Sequence, residues 1–125
     1  MLAVDSSTWI AYFGGATGAD VETLDRALKE HQVVLPAPVL TELLSDPKID
    51  PEIAQSLRDL PLLEPTEGFW ERAGVLRAAV LRRKRKARLA DALIAQLCVD
   101  HEVRLLTRDG DFRGFDEAAE TELLA

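Results

Sequence analysis

Cysteine is almost missing from this chain, with Cys98 the single one among 125 residues. An intrachain disulfide is therefore excluded, and so is a zinc site built from several thiolates. Cys98 falls on an apolar helical stretch and is expected to be a packed thiol. Histidine is nearly as scarce. His31 and His101 are the only two, and both fall at helix ends, where a solvated or dipole-stabilising role is the ordinary one. No apolar run approaches the roughly 18–20 residues that span a bilayer, so no membrane segment is expected. Met1-Leu2-Ala3-Val4-Asp5 lacks the basic region of a secretory signal, and a cytoplasmic setting is the expectation. There is no internal repeat and no linker, so residues 1–125 are expected to form a single domain.

What is present is a soluble balance, with 47% hydrophobic and 30% charged residues. The net charge of -7 argues by itself against a general nucleic-acid binder. The distribution changes that argument. Arg82, Arg83, Lys84, Arg85, Lys86 and Arg88 place six cations in seven positions with no acid among them. The rest of the chain carries 9 positive and 22 negative side chains, a balance of -13. A helix end favours a few cations but not six in mutual repulsion, so a phosphate backbone is the preferred partner of this strip.

Short apolar runs alternate with helical periodicity along the whole chain. Strands are expected at Leu2–Val4, Val33–Leu35, 61–65 and 103–107, with Glu122-Leu123-Leu124 as an edge strand. Helices are expected over 8–13 (capped by Ser6 or Ser7), 20–31, 37–45, 51–60, from Thr66 or Glu67 through Leu81, and 89–101. Continuous rather than alternating apolar strands indicate a parallel sheet covered on both faces. The expected fold class is α/β, a three-layer α/β/α sandwich with a mostly parallel sheet of four to five strands.

Carboxylates recur at the right points of that pattern. Asp5 ends the first strand, Glu42 lies in the apolar helix Val39-Leu40-Thr41-Glu42-Leu43-Leu44, Asp91 opens another, and Asp109 and Asp111 follow the last strand. In open parallel sheets the binding crevice lies at the carboxyl ends of the strands, so one crevice can receive them. Converging carboxylates stay ionised when a hard divalent cation, Mg²⁺ or Mn²⁺, offsets their repulsion. One or two such ions suit the hydrolysis of a phosphodiester, because they stabilise the attacking and leaving oxygens without a histidine base.

These segments together resemble the PIN-domain ribonucleases, of the VapC-like toxin type. The likeness rests on Val4-Asp5-Ser6-Ser7, Pro38-Val39-Leu40-Thr41-Glu42-Leu43, Leu89-Ala90-Asp91-Ala92-Leu93-Ile94-Ala95 and Leu106-Thr107-Arg108-Asp109-Gly110-Asp111-Phe112, in that order. It implies catalytic roles for Asp5, Glu42, Asp91 and Asp109, with Thr107 orienting a water or a carboxylate. It implies cation binding by Asp5, Asp91 and Asp109, with Asp111 an auxiliary or substitute. It further implies a Mg²⁺- or Mn²⁺-dependent endoribonuclease leaving 3′-hydroxyl and 5′-phosphate ends, a homodimer, and a neutralising antitoxin. The loop before the Asp91 helix, Lys84-Arg85-Lys86-Ala87-Arg88, departs from the family, which often has glycine there. Trp9, Ile10, Tyr12 and Phe13 crowd the first helix with apolar bulk, and Trp9, Tyr12 and Phe13 are expected to meet the antitoxin. A non-catalytic PIN-like module that binds RNA or protein is the alternative. A phosphatase of the haloacid-dehalogenase type is disfavoured because Ser7 stands where a second aspartate is needed. A receiver domain is disfavoured because the second strand ends in Leu35-Pro36.

Overall fold

The computed structural model describes residues 1–125. Four parallel strands, β1 (Leu2–Val4), β2 (Val33–Pro36), β3 (Leu62–Leu63) and β4 (Arg104–Leu106), form one sheet in the order β3-β2-β1-β4. In register, Ala3 lies opposite Val34 on one side and Leu105 on the other. The inner strands need apolar residues at successive positions because helices cover both faces of the sheet; Ala3, Val4, Val34, Leu35 and Leu105 are all buried.

The connections are α1 (Ser6–Phe13) with α2 (Ala19–Lys29), α3 (Ala37–Leu44) with α4 (Pro51–Arg58), and α5 (Phe69–Arg82) with α6 (Leu89–Asp100). The first two pairs carry the chain outward from β1 to β3, and the third returns it past β1 to β4. With right-handed crossovers the reversal puts α5 and α6 on the opposite face. Packing agrees: α1 touches α2 and α3, α3 touches α4, and α5 packs on α6 and α7 (Phe112–Ala118). The chain therefore turns back between β1 and β4, and open α/β sheets form their crevice at such a switch point.

Several boundaries differ from expectation for local reasons. Asp5, not Ser6 or Ser7, caps α1, so that helix starts two residues earlier than the pattern suggested. Its carboxylate accepts the Ser7 backbone N–H at 3.4 Å. Helix α5 starts at Phe69 rather than Thr66 or Glu67, because Gly68 precedes it in the left-handed region with φ 79°. Leu81, expected to end that helix, lies within it and is exposed. The edge strand at 122–124 is reduced to one parallel bridge, Leu124 to Leu105. Helix α7 was not anticipated: it is short and glycine-containing, yet Phe112 and Phe115, one turn apart, are both fully buried. Gly114 lets that helix close on the fold, since a Cβ there would stand 3.1 Å from Val80 Cγ1 and 3.2 Å from Arg85 Cβ.

Candidate active site

The carboxyl ends of β1 and β4 are joined by the Asp5 backbone N–H, which donates to the Leu106 carbonyl at 2.9 Å. The next residue of each segment carries the site. Asp5 is almost wholly buried, and one of its oxygens, Oδ2, takes two hydroxyl donors, Ser7 Oγ at 2.8 Å and Thr107 Oγ1 at 3.0 Å. Each hydroxyl has one proton, so both are used here, and the 3.2 Å approach between the two hydroxyl oxygens has none left to share. Both hydroxyls also accept a backbone N–H, Ser7 from Arg108 at 3.3 Å and Thr107 from Asp109 at 3.0 Å. Asp5 Oδ1 receives no protein donor and is left for another partner. Thr107 thus orients a carboxylate, one of the two roles expected of it. Ser7 makes the same contact with Asp5, a role its place beside a strand end does not reveal.

Asp91 sits in the first turn of α6, 7% exposed, and its Oδ2 is buried with no hydrogen-bond partner. An orphaned carboxylate oxygen is costly inside a protein. Burial, then the charges of Asp5 and Asp109, push this carboxyl up to about 6, against the pull of Arg88 and with a further push from Glu42. Glu42 projects from α3 and stays open to solvent, contrary to the buried face its neighbours suggested. Crowding of its carboxyl and the Asp5 charge still raise it, while Ser6 and Arg88 pull it down. Asp5, Glu42, Asp91 and Asp109 therefore feel one another across a single crevice. They do not close on one point: no three such side chains stand at distances that would share an ion. Like charge opposes closer approach until a cation is present.

The donor set fits a divalent cation. It is all carboxylate, it includes an orphaned oxygen on Asp91 and a donor-free oxygen on Asp5, and hard cations take oxygen ligands. Asp109 is half-buried and accepts the Asp111 backbone N–H at 2.9 Å, which keeps the turn after β4 tight. Asp111 is placed differently. Its Oδ2 lies 3.1 Å from Arg88 and 3.7 Å from Lys86, so it faces the basic strip.

That strip is not a uniform row of free cations. Arg85 Nη1 donates to both oxygens of the Glu117 carboxylate, at 3.0 and 2.9 Å, and Arg83 donates to the Glu117 carbonyl at 2.9 Å. Lys86 and Arg88 meet Asp111, while Arg82 and Lys84 are exposed without an acid partner. On α1 the expected apolar contact set also divides. Trp9 is 2% exposed and belongs to the core, stacked on Phe13 at 5.5 Å, which removes it from the surface. Tyr12 is half-buried and donates to Asp25 at 3.1 Å. Phe13 and Ile10 remain exposed, and line a groove with Ile49, Ile53 and Asp46 that reaches Glu42.

Fold and crevice define an α/β domain with a carboxylate centre at the sheet's switch point. The chain belongs to the PIN domain family, whose model matches residues 2–118. It is 29% identical over 119 residues to VapC ribonuclease Mb1587 of Mycobacterium bovis, a match covering 90% of this chain and 89% of that protein. Ribonuclease VapC11 of Mycobacterium tuberculosis matches with the same identity and coverage. Among solved structures, VapBC2 from Rickettsia felis bound to a promoter DNA fragment aligns over 99% of this chain and 96% of that one, with TM-score 0.71 and 18% identity. FitAcB from Neisseria gonorrhoeae aligns over 100% and 97%, with TM-score 0.70 and 16% identity. Mycobacterium tuberculosis VapC20, a Sarcin-Ricin loop cleaving toxin, aligns over all of both chains, with TM-score 0.63 and 21% identity. At these identities the structural likeness speaks for the fold.

Proposed function

We propose that this PIN-domain protein is a divalent-cation-dependent endoribonuclease and the toxin of a type II toxin–antitoxin pair. The observation that carries the reading is the convergence of Asp5, Glu42, Asp91 and Asp109 at the switch point, with Asp91 Oδ2 buried and unpartnered. The ribonuclease names of the matched VapC relatives support it.

Asp5, Asp91 and Asp109 would hold the cation, Mg²⁺ or Mn²⁺, as one ion or two. Bound there, it would acidify a water and offset charge on the phosphate under attack. Ser7 and Thr107 keep Asp5 in one orientation. Glu42, raised yet open to solvent, is suited to steering a water or taking up its proton. Asp111 holds Arg88 and Lys86 at the rim through its Oδ2, where their charges would meet the RNA backbone. Arg82 and Lys84 extend that contact, and Arg83 and Arg85 contribute only what their bonds to Glu117 leave free.

A cognate antitoxin would cover Ile10, Phe13 and the edge of Tyr12, with its basic groups drawn to the acidic groove beside Glu42. Exposed Trp70, on the rim of a second apolar groove that also reaches Glu42, supports a homodimer built there. No helix is long and apolar enough to cross a membrane, and the cytoplasm is the proposed site of action.

The test is cleavage of a labelled RNA pool by the purified chain, freed of any antitoxin, with Mg²⁺ or Mn²⁺ against chelator and wild type against Asp91→Asn. Cation-dependent cutting that Asp91→Asn abolishes supports the reading. A chain that neither cuts nor takes up the cation would be a non-catalytic binding module instead.

A further inference from the structure

One side-chain network lies beside the acid site without belonging to it. Asp20, in the first turn of α2, accepts three hydrogen bonds. Arg108 forks onto it, Nε to Oδ2 and Nη2 to Oδ1, both at 2.8 Å. Thr8 Oγ1 donates to its Oδ2 at 2.9 Å, and Thr8 is fully buried. The Arg108 guanidinium also reaches the Thr17 carbonyl at 3.3 Å.

The partners have a telling position. Ser7 and Thr107 are the two hydroxyls that hold Asp5 Oδ2. Thr8 and Arg108 are the residues immediately after them, and both bind Asp20. One carboxylate is thus held by residues 7 and 107, and a second ties residues 8 and 108 together behind it. The Arg108 backbone N–H closes the loop by donating to Ser7 Oγ. The turn before α2 is shaped around this pair: Gly18 has φ +146°, and a Cβ there would lie 2.7 Å from Asp20 Oδ1 and 3.1 Å from Arg108 Nη2.

We propose that the Asp20–Arg108 pair is a positioning device for the acid site: it locks the segments after β1 and β4 together, and so sets the orientation of Asp5 and the entry of Asp109. The two residues act through Ser7 and Thr107 and touch no reacting atom. A planar, two-point guanidinium–carboxylate contact fixes geometry in a way that a single-point ion pair does not. Stability alone is a weak reason for the contact, because Arg108 is 37% exposed and ion pairs of that exposure contribute little. The inference rests on the ribonuclease reading for its kinetic readout but not for its binding readout.

The experiment compares wild type, Asp20→Asn, Arg108→Lys and Arg72→Gln. Arg72 pairs with Asp100 at the end of α6 away from Asp91, and serves as the control for loss of an ion pair. Mn²⁺ uptake is followed by calorimetry, RNA cleavage by kcat and KM, and folding by circular dichroism. Loss of groups that orient first-sphere ligands weakens metal affinity or activity by about 10–100-fold. Asp20→Asn should therefore raise the Mn²⁺ midpoint and lower kcat by at least about tenfold with KM for RNA little changed. Arg108→Lys, which keeps the charge but loses the fork, should fall between. Arg72→Gln, which likewise loses a partly exposed ion pair, should move neither quantity. If midpoint and kcat of Asp20→Asn stay at wild-type values, whatever its thermal stability, the pair does not position the site and the proposal fails. If wild type binds Mn²⁺ but cuts no RNA, a shifted midpoint in Asp20→Asn upholds the positioning role and sinks the ribonuclease reading. Wild type that takes up no Mn²⁺ overturns both.

Discussion

Replacing Asp91 by asparagine should make the cation-free protein more stable at neutral pH, although it removes a central residue of the site. Burial and the charges of Asp5 and Asp109 raise this carboxyl from 3.8 to about 6 in the folded chain. At pH 7.5 it is ionised in both folded and unfolded states, and the folded state carries the unfavourable term. Two pH units correspond to about 3 kcal/mol, and allowing for relaxation about 2 kcal/mol should be recovered by Asp91→Asn. For a domain of this length that is a rise in Tm of about 8 °C. The pH dependence is specific. Between about pH 4 and 6 the folded state binds more protons than the unfolded one, so wild-type stability from this group falls as pH rises. The advantage of the asparagine variant should be nil below about pH 4, open between 4 and 6, and be constant above about 7. Adding Mg²⁺ or Mn²⁺ should reverse the order, since an ion at 100 times its Kd stabilises only the chain that binds it, by about 2.7 kcal/mol. Urea unfolding across pH 3.5–8, with chelator and with cation, measures all of this. A variant less stable than wild type at pH 7.5 in chelator, or a difference independent of pH, would refute the electrostatic account of the crevice.

Three further outcomes follow from the same structure. Asp20 is held at about 2, chiefly by its hydrogen bonds from Arg108, so the pair's contribution should be complete above about pH 4 and lost as pH falls through 2; it should be small, because Arg108 is partly exposed, and acid titration of Asp20→Asn against wild type measures it. Replacing all six cations of the strip with alanine should flatten the salt dependence of RNA binding; Arg82→Ala with Lys84→Ala should account for more of that change than Arg83→Ala with Arg85→Ala, and an unchanged slope would remove the strip from the RNA interface. Cys98 is fully buried and its thiol is pushed up to about 12 by burial and then by the Asp5 charge, so a thiol reagent should label the native chain with no equivalent and the unfolded chain with one.

Local pattern by itself determined the parallel α/β architecture, because strands covered on both faces must be apolar at every position. It also placed Asp5, Glu42, Asp91 and Asp109 at strand ends or on helices that a switch point can gather, and the fold brings them to one crevice. Cys98 as a packed thiol was legible for the same reason. The limits of the pattern were equally physical. A cap is chosen by whichever side chain reaches the free N–H groups, so Asp5 took the place expected of Ser6 or Ser7. Helix α7 exists because Phe112 and Phe115 find a cavity made by α5 and α6, which no local signal records. Trp9 and Phe13 lie on one crowded helix, yet only the fold decides that the first is core and the second surface.

Pairing across the chain was the other hidden layer. Asp20 and Arg108 are 88 residues apart, Ser7 and Thr107 100 apart, and Arg85 and Glu117 32 apart. A charge run such as 82–88 reads as six equivalent cations, whereas the structure pairs Arg83 and Arg85 with Glu117, pairs Lys86 and Arg88 with Asp111, and leaves Arg82 and Lys84 without an acid partner. Residue type and order set what chemistry this protein can perform. Only the tertiary structure decided which oxygen of Asp5 is held, which oxygen of Asp91 is left without a partner, and which cations of the strip remain unpaired, because those are matters of distance between segments that the chain separates.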